Sequence, residues 1–338
     1  MLIFKITLFV SFMFLIIGYS YILLTPGLLV GCTPVLTYIK KIAQVFITFV
    51  FVYGFKSKFK LAESSQDISS LINSDKNKID VVICNHTSTL DFLIMMIYFQ
   101  EFQIDSYNFV LKKDILYTPG FGYVMYSNPD IKLNRNWEQD KETMGKQLDN
   151  IKLNGKKQVI LIFPEGTRLT EKKLKEGQEF SKANNLPIYE NLMVPKSKGL
   201  WFITNKLTES NKLGKVWDVT IILPHFLKKT IGITDIFGKN LGDIKLIWRE
   251  VQLNQNYQEY EEFKKWLLEL WITKDSFMKH HDKIVFKEIN PENTISTIDK
   301  ISIIILFTIL CVVLFNKYGR YYLLGSLILS YILIVFKL

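Results

Sequence analysis

Val81-Val82-Ile83-Cys84-Asn85-His86-Thr87-Ser88-Thr89-Leu90-Asp91 decides the fold of this chain. Val81 to Cys84 reads as a short buried strand, a polar turn follows, and Leu90 to Phe99 reads as a helix. The same alternation continues downstream. Strands are predicted at Asn108–Leu111, Ile131–Leu133, Gln158–Phe163, Met193–Val194 and Trp217–Leu223. Between them lie a short helix over Gly120–Tyr126, an amphipathic helix from Trp137 to about Leu153, and a charged helix from Glu171 to about Asn184. A last charged amphipathic helix is expected over Asn254–Asp282, and the polar stretch Ser64–Lys78 leads into the domain. Strands interleaved with helices predict an α/β layered sheet with flanking helices.

Chemistry gathers at two of the strand ends. His86 leaves the first strand at its C-terminal end, where α/β folds place ligand sites. Asp91, expected about one turn into the helix, is able to reach back to the imidazole. A carboxylate there fixes the tautomer and steadies the imidazolium, leaving Nε2 to take a proton. A structural reading stands beside this one. Ser88-x-x-Asp91 has the form of a capping box, in which Asp91 caps its own helix, and His86 is then an ordinary core histidine.

The second strand end is Phe163-Pro164-Glu165-Gly166-Thr167-Arg168, on the same edge of the sheet. Proline stops the strand and glycine permits a turn that other residues resist. Arg168 offers a planar fork suited to phosphate. Glu165 is expected either to orient that arginine or to accept from a substrate hydroxyl. The structural reading is a strand-to-helix turn with a surface ion pair.

The two motifs, in this order and about eighty residues apart, resemble those of the glycerolipid acyltransferases, the family of the 1-acylglycerol-3-phosphate acyltransferases. Lys112-Lys113-Asp114-Ile115-Leu116-Tyr117-Thr118-Pro119-Gly120-Phe121-Gly122 is similar to that family's second block, at the active-site entrance. Arg135 matches an arginine used on the acceptor's phosphate, and Val194-Pro195 matches the fourth block. Trp266-Leu267-Leu268 with Lys274-Asp275 is similar to a eukaryotic branch that includes lysophosphatidate, lysophosphatidylinositol and lysocardiolipin acyltransferases. The likeness covers roughly residues 75 to 285, and Thr87 stands where many members carry another residue.

The resemblance implies His86 and Asp91 as the catalytic pair, with substrate bound by Glu165, Gly166, Thr167, Arg168, Arg135, Lys112 and Lys113. It implies acyl-CoA as co-substrate, a lysophospholipid as acceptor, and no cofactor. No acyl-enzyme is implied; His86 would deprotonate the acceptor hydroxyl for direct attack on the thioester. The first-choice acceptor is 1-acyl-sn-glycerol-3-phosphate. The alternatives are lysophosphatidylinositol or lysocardiolipin as acceptor, a CoA-independent transacylase, and a non-catalytic membrane scaffold.

The 338 residues are 49% hydrophobic and carry a net charge of +10. Without zinc-finger spacing, an RNA-binding signature or a long basic tract, that charge is better suited to phospholipid surface and phosphorylated substrates than to nucleic acid. Three cysteines in no Cys-x-x-Cys pair indicate neither a zinc site nor a disulfide framework. No Gly-x-Ser-x-Gly elbow supports a serine hydrolase. His280-His281-Asp282 is expected on a helical surface rather than around a metal. Lys172, Lys173 and Lys175 are either a solvated helix face or contacts to CoA phosphate or lipid.

The ends of the chain are apolar. Ile6 to Leu24 is long enough to span a bilayer and too long for a signal peptide's core. Ile42 to Phe55 reads as a re-entrant, interfacial or simply buried helix. Lysines at 40, 41, 56, 58 and 60 follow the first run, which puts the next domain on the cytosolic side. Ile301–Phe315 and Tyr321–Phe336 form two short spans or a hairpin in one leaflet. The expected organisation is membrane segments over 1–60, a catalytic domain over 61–290, and a C-terminal transmembrane or re-entrant hairpin over 299–338. An integral membrane protein of the endoplasmic reticulum is the expectation.

Overall fold

The computed structural model describes residues 33–65, 75–104, 106–118, 121–126, 128–151, 153, 155–224, 241–318 and 321–322. Its strands are β1 (Lys58–Ala62), β2 (Ile79–Cys84), β3 (Ser106–Lys112), β4 (Ile131–Leu133), β5 (Gln158–Ile162), β6 (Leu213–Ile222), β7 (Asp243–Val251) and β8 (Phe286–Ile289). Its α-helices are α1 (Thr33–Phe49), α2 (Asp91–Glu101), α3 (Phe121–Tyr126), α4 (Trp137–Asp149), α5 (Glu171–Ala183), α6 (Ser197–Glu209), α7 (Tyr260–Lys279) and α8 (Thr297–Phe315).

The strands form one mixed sheet in the order β4-β3-β5-β2-β6-β7-β1-β8. From β4 to β6 every pairing is parallel; β7 runs antiparallel to β6, and β8 antiparallel to β1. Every residue of β2 and β5 is buried, as a parallel strand covered on both faces requires. Val82, Cys84, Val159 and Leu161 pack on the side of α1 and α2. Val81, Ile83, Ile160 and Ile162 pack on the opposite side, against Leu148 of α4, Ile203 of α6 and Leu267 and Trp271 of α7. Each such side chain contributes about 1.5–3 kcal/mol by leaving water, so the centre of the sheet is the most firmly held part of the fold.

The predicted elements of the middle are present, with shifts. The helix expected to reach Leu153 stops at Asp149, because Asn150 takes the cap position and Ile151 turns into the core. Met193 and Val194 lie in no strand. Helix α6 lay unread although Leu200, Ile203 and Leu207 recur at helical spacing and are buried. Strands β1, β7 and β8 lay unread as well. In β1 the lysines Lys58 and Lys60 alternate with buried Phe59 and Leu61, a half-covered strand written among charges.

The stretch Ile42–Phe55 falls in α1 and a π-helical turn at Val50–Gly54, with Ile42, Val45, Val50, Phe51 and Phe55 buried. It lies against α2, where Gln44 Nε2 donates to the Met96 carbonyl at 2.5 Å and Thr48 Oγ1 to Gln100 Oε1 at 3.0 Å. Among the described residues no helix is long and apolar enough to cross a membrane. The expected C-terminal run Ile301–Phe315 lies in α8, whose first turn is polar and whose Asp299 pairs with Lys41 at 2.9 Å. Its 15 apolar-run residues span about 22 Å at 1.5 Å each, short of a roughly 30 Å hydrocarbon core. The expected span Ile6–Leu24, Cys32, His225 and most of the second C-terminal run lie outside the described residues.

Candidate active site

Parallel pairing of β2 with β5, in the register Ile83↔Ile162, brings the two motif-bearing strand ends side by side. Phe163 follows β5 directly, and its ring lies 4.7 Å from that of His86. The turn carrying His86 is pinned on both sides. Asn85, fully buried, donates Nδ2–H to the Ile221 carbonyl at 2.9 Å and accepts the Ile221 N–H at Oδ1 at 2.8 Å. The His86 carbonyl accepts from Leu169 N–H at 2.9 Å.

Asp91 is the first residue of α2, not a turn inside it. Its fully buried carboxylate accepts from three groups. Oδ2 takes the Ser88 N–H at 2.7 Å and faces His86 Nδ1 at 2.9 Å, while Oδ1 takes the Thr87 hydroxyl at 3.3 Å. The carboxylate that faces His86 therefore also holds the turn before α2, whose N-cap position is taken by Leu90 with no side-chain cap. The expected capping box is not formed on α2: Ser88 Oγ accepts from Leu90 N–H, at 3.2 Å, instead of from Asp91. With Asp91 holding Nδ1–H, the neutral imidazole carries a lone pair at Nε2, and the His86 side chain is 23% exposed toward a cleft.

That cleft has a volume of about 1040 Å³. Phe92, Phe109, Ile115, Met125, Met144 and Ile162 give it an apolar wall, and Lys112, Arg135, Arg168, Lys196, Lys198 and Lys264 give it cations. Asp140 is the one carboxylate among its described lining residues, and Asp140 already accepts the Asn134 N–H at 2.6 Å. The block Lys112–Gly122 borders the cleft through Lys112 and Ile115. There the backbone folds on itself so closely that a Cβ on Gly122 would stand 2.0 Å from the Leu116 carbonyl oxygen.

Gly166, Thr167, Arg168, Arg135 and Lys112 line the cleft, as the motifs imply; Glu165 and Lys113 do not. Lys113 begins a 3₁₀ turn and is half-buried. Glu165 is fully buried behind the site, where it neither orients Arg168 nor faces the cleft. Its Oε1 accepts the His86 N–H at 3.0 Å and its Oε2 the Met193 N–H at 3.4 Å. Burial, helped by the nearby Asp91 carboxylate, outweighs these N–H groups and Lys274, and pushes the Glu165 carboxyl up to about 8. Glu165 thus ties the His86 turn to the segment at 192–196, which Lys196 N–H also joins to the Pro164 carbonyl at 2.8 Å.

Gly166 has φ +66°, in the left-handed region that glycine enters freely. This turns its carbonyl outward to accept from Arg135 Nη2 at 2.8 Å. Arg135 itself has φ 67°, an uncommon conformation for a residue with a side chain. A polar strand end and two motifs foretold the cluster but not that contact.

Support from α7 was legible only as a likeness. Lys274 is fully buried, pairs with Asp218, donates to the Val219 carbonyl, and lies 3.4 Å from the Ile83 carbonyl just before the His86 turn. Arg249 reaches the same Asp218. Asp275 accepts the N–H groups of Glu190 and Asn191 at 2.8 and 2.7 Å, clamping the chain that leads to Val194 and Pro195. His280 and His281 end α7, with Nδ1 atoms 3.1 and 2.9 Å from the carbonyls of Ser276 and Met278. Among the described residues no group of metal-ligating side chains gathers.

Residues 67–223 match the family model described as Acyltransferase. Lysophosphatidylinositol acyltransferase 10 of Caenorhabditis elegans is 26% identical over 205 residues, 60% of this chain and 52% of the relative. 1-acyl-sn-glycerol-3-phosphate acyltransferase 3 of Arabidopsis thaliana is 27% identical over 62% of this chain and 55% of its own. Lysocardiolipin acyltransferase 1 of Mus musculus is 29% identical over 44% and 40%. The chain thus spans about half the length, or less, of these curated relatives. The crystal structure of the 1-acyl-sn-glycerophosphate acyltransferase from Thermotoga maritima superposes with a TM-score of 0.47 at 18% identity, over 82% of this chain and 97% of that one. Over residues 67–223, a little under half of the chain, the sequence is thus similar to the acyltransferase family.

Proposed function

We propose that this chain transfers a fatty acyl group from acyl-CoA to the free hydroxyl of a lysophospholipid, with 1-acyl-sn-glycerol-3-phosphate as the first-choice acceptor and phosphatidic acid as product. The observation that carries the reading is the His86–Asp91 contact of 2.9 Å opening on a cleft with an apolar wall and a cationic side. Nε2 of His86 takes the proton of the acceptor hydroxyl as its oxygen bonds to the thioester carbonyl carbon. The resulting oxyanion collapses, the carbon–sulfur bond breaks, and the leaving CoA thiolate takes the proton back from the imidazolium. Asp91 stabilises that imidazolium without accepting its proton. The apolar wall is suited to an acyl chain and Arg168 with Arg135 to phosphate.

Acylation of lysophosphatidylinositol or lysocardiolipin is the alternative, since relatives bearing those names match as well as the phosphatidate-forming ones. A membrane location, at the cytosolic face of the endoplasmic reticulum, belongs to the same proposal. It is supported by the exposed apolar side chains Ile301, Ile304, Ile305, Ile309 and Val312 on α8. The test is acyl-CoA consumption by membranes containing the full chain, against a panel of lysophospholipids. Turnover confined to the phosphate monoester supports the first choice; turnover only of an inositol or glycerol diester moves the assignment to the alternative. Activity that persists without any CoA species contradicts acyl-CoA as the donor.

A further inference from the structure

Around the Gly166 turn four cations meet. Arg135 is bonded to the Gly166 carbonyl. Arg168 lies two residues on and lines the cleft. Lys173, from the first turn of α5, donates to the Thr167 hydroxyl. Lys196 extends over the turn from the other side, with its Nζ 3.7 Å from the position a Cβ on Gly166 would take. Among the described residues none of the four is in a salt bridge, whereas Lys112 and Lys264, which also line the cleft, each have an acidic partner in Asp114 and Glu261.

Such crowding is unfavourable in the empty site. Partial burial first, and then Arg168, Arg135 and Lys196, hold the Lys173 ammonium below its ordinary range, against a smaller opposing effect of Glu176. Like charges brought together with no carboxylate between them are stabilised by an anion, and the more so the greater its charge. Helix α6 begins at Ser197 with no acidic residue in its first turn, so its N-terminal dipole adds to the same positive potential.

The charge exceeds what one phosphate diester needs. A diester carries a single negative charge and is met by one arginine fork. A phosphate monoester gains a second charge with a pKa of about 6 and presents three terminal oxygens. We propose that Lys196, with Lys173 behind the turn, completes a dianion site that selects acceptors bearing a terminal phosphate monoester over acceptors in which the phosphate is a diester. Lys196 and Lys173 are then specificity-determining residues, distinct from the Arg168 and Arg135 pair that any phosphate would engage. The inference rests on the acyltransferase reading of the cleft and adds to it which charge state of the phosphate is recognised.

The test compares kcat/KM for lysophosphatidate and for lysophosphatidylinositol in full-length wild type and Lys196→Ala, with acyl-CoA saturating. The expected result is a fall of roughly tenfold in the ratio of the two, the size of one lost charge-assisted hydrogen bond, and its recovery in Lys196→Arg. A second readout is the same ratio between pH 5.5 and 7.5. Any effect of pH on a step common to both acceptors cancels in the ratio. The ratio should rise with pH in the wild type as the monoester gains its second charge between Arg135, Arg168, Lys173 and Lys196, and the rise should flatten in Lys196→Ala. An unchanged ratio, or a higher KM for acyl-CoA when the donor is varied at saturating acceptor, overturns the dianion site in favour of a role at the CoA phosphates or none. Loss of all turnover in the wild type with either acceptor would instead sink the underlying acyltransfer reading.

Discussion

Oδ2 of Asp91 lies 2.9 Å from Nδ1 of His86 and 2.7 Å from the Ser88 backbone nitrogen, so one oxygen both orients the imidazole and holds the turn that leads into α2. Pairing with the imidazole and holding of the turn are coupled by that geometry. Replacing Asp91 by Asn keeps the volume but puts a neutral amide where the imidazolium needs a charge. We expect kcat to fall by about 10²–10⁴-fold and stability to fall by about 1 kcal/mol through the weakened hydrogen bond to the Ser88 N–H. Denaturant titration and steady-state kinetics on one preparation measure both. Lost stability with full specific activity would leave Asp91 with a structural role in the turn only.

Glu165 gives a pH dependence whose sign is fixed by its environment. Its carboxyl is raised from the ordinary 4.5 to about 8 in the folded chain. The folded state therefore binds this proton more tightly than the unfolded state does. The contribution to stability is complete below the unfolded value and is lost as pH rises through about 8. Glu165→Gln carries no such proton. The Tm of the wild type is expected to drop relative to that of Glu165→Gln between pH 5 and 8. Parallel Tm profiles for the two proteins would show that Glu165 is ionised in the fold.

Lys274 makes the support of the site measurable. Its ammonium is fully buried against Asp218, with Arg249 on the same carboxylate. Lys274→Met leaves that carboxylate short of one partner, and removal of half of a buried pair typically costs about 3–5 kcal/mol. Arg249 offsets part of this, so the expected loss is near the lower end. The double variant Lys274→Met, Asp218→Leu should regain part of the stability, since the buried carboxylate is gone and the Arg249 guanidinium that loses its partner is 27% exposed and reachable by water. Chemical denaturation of the single and double variants checks it; additive losses would contradict the pairing.

Much of this was legible in the sequence. Continuous apolar runs marked β2 and β5, and the residues that follow them named His86, Asp91, Gly166 and Arg168 before any pairing was known. The adjacency of β2 and β5 was not legible, because strand order depends on tertiary crossovers: β3 and β4 intervene in sequence but lie outside β5 in the sheet. Glu165 was misread for a related reason. A glutamate in a polar motif looks exposed, and only the meeting of three chain segments reveals that its two oxygens serve the backbone at His86 and Met193. Strand β1 was hidden by its lysines, which face outward while Phe59 and Leu61 are buried. Lys196 carried no signal of its own, being one exposed lysine of many until the Gly166 turn brought it beside Arg135 and Lys173.

The central claim is that the imidazole of His86 is the base, and the most direct test is His86→Ala in the acyl-CoA consumption assay with the best acceptor of the panel. The His86 side chain contributes one contact to Asp91 and one to Phe163, while the turn is held through backbone atoms and Asn85. The variant should therefore fold, with a Tm close to wild type, and its kcat should fall by at least about 10²-fold with the acceptor KM little changed. Wild-type turnover by a folded His86→Ala protein would contradict the assignment.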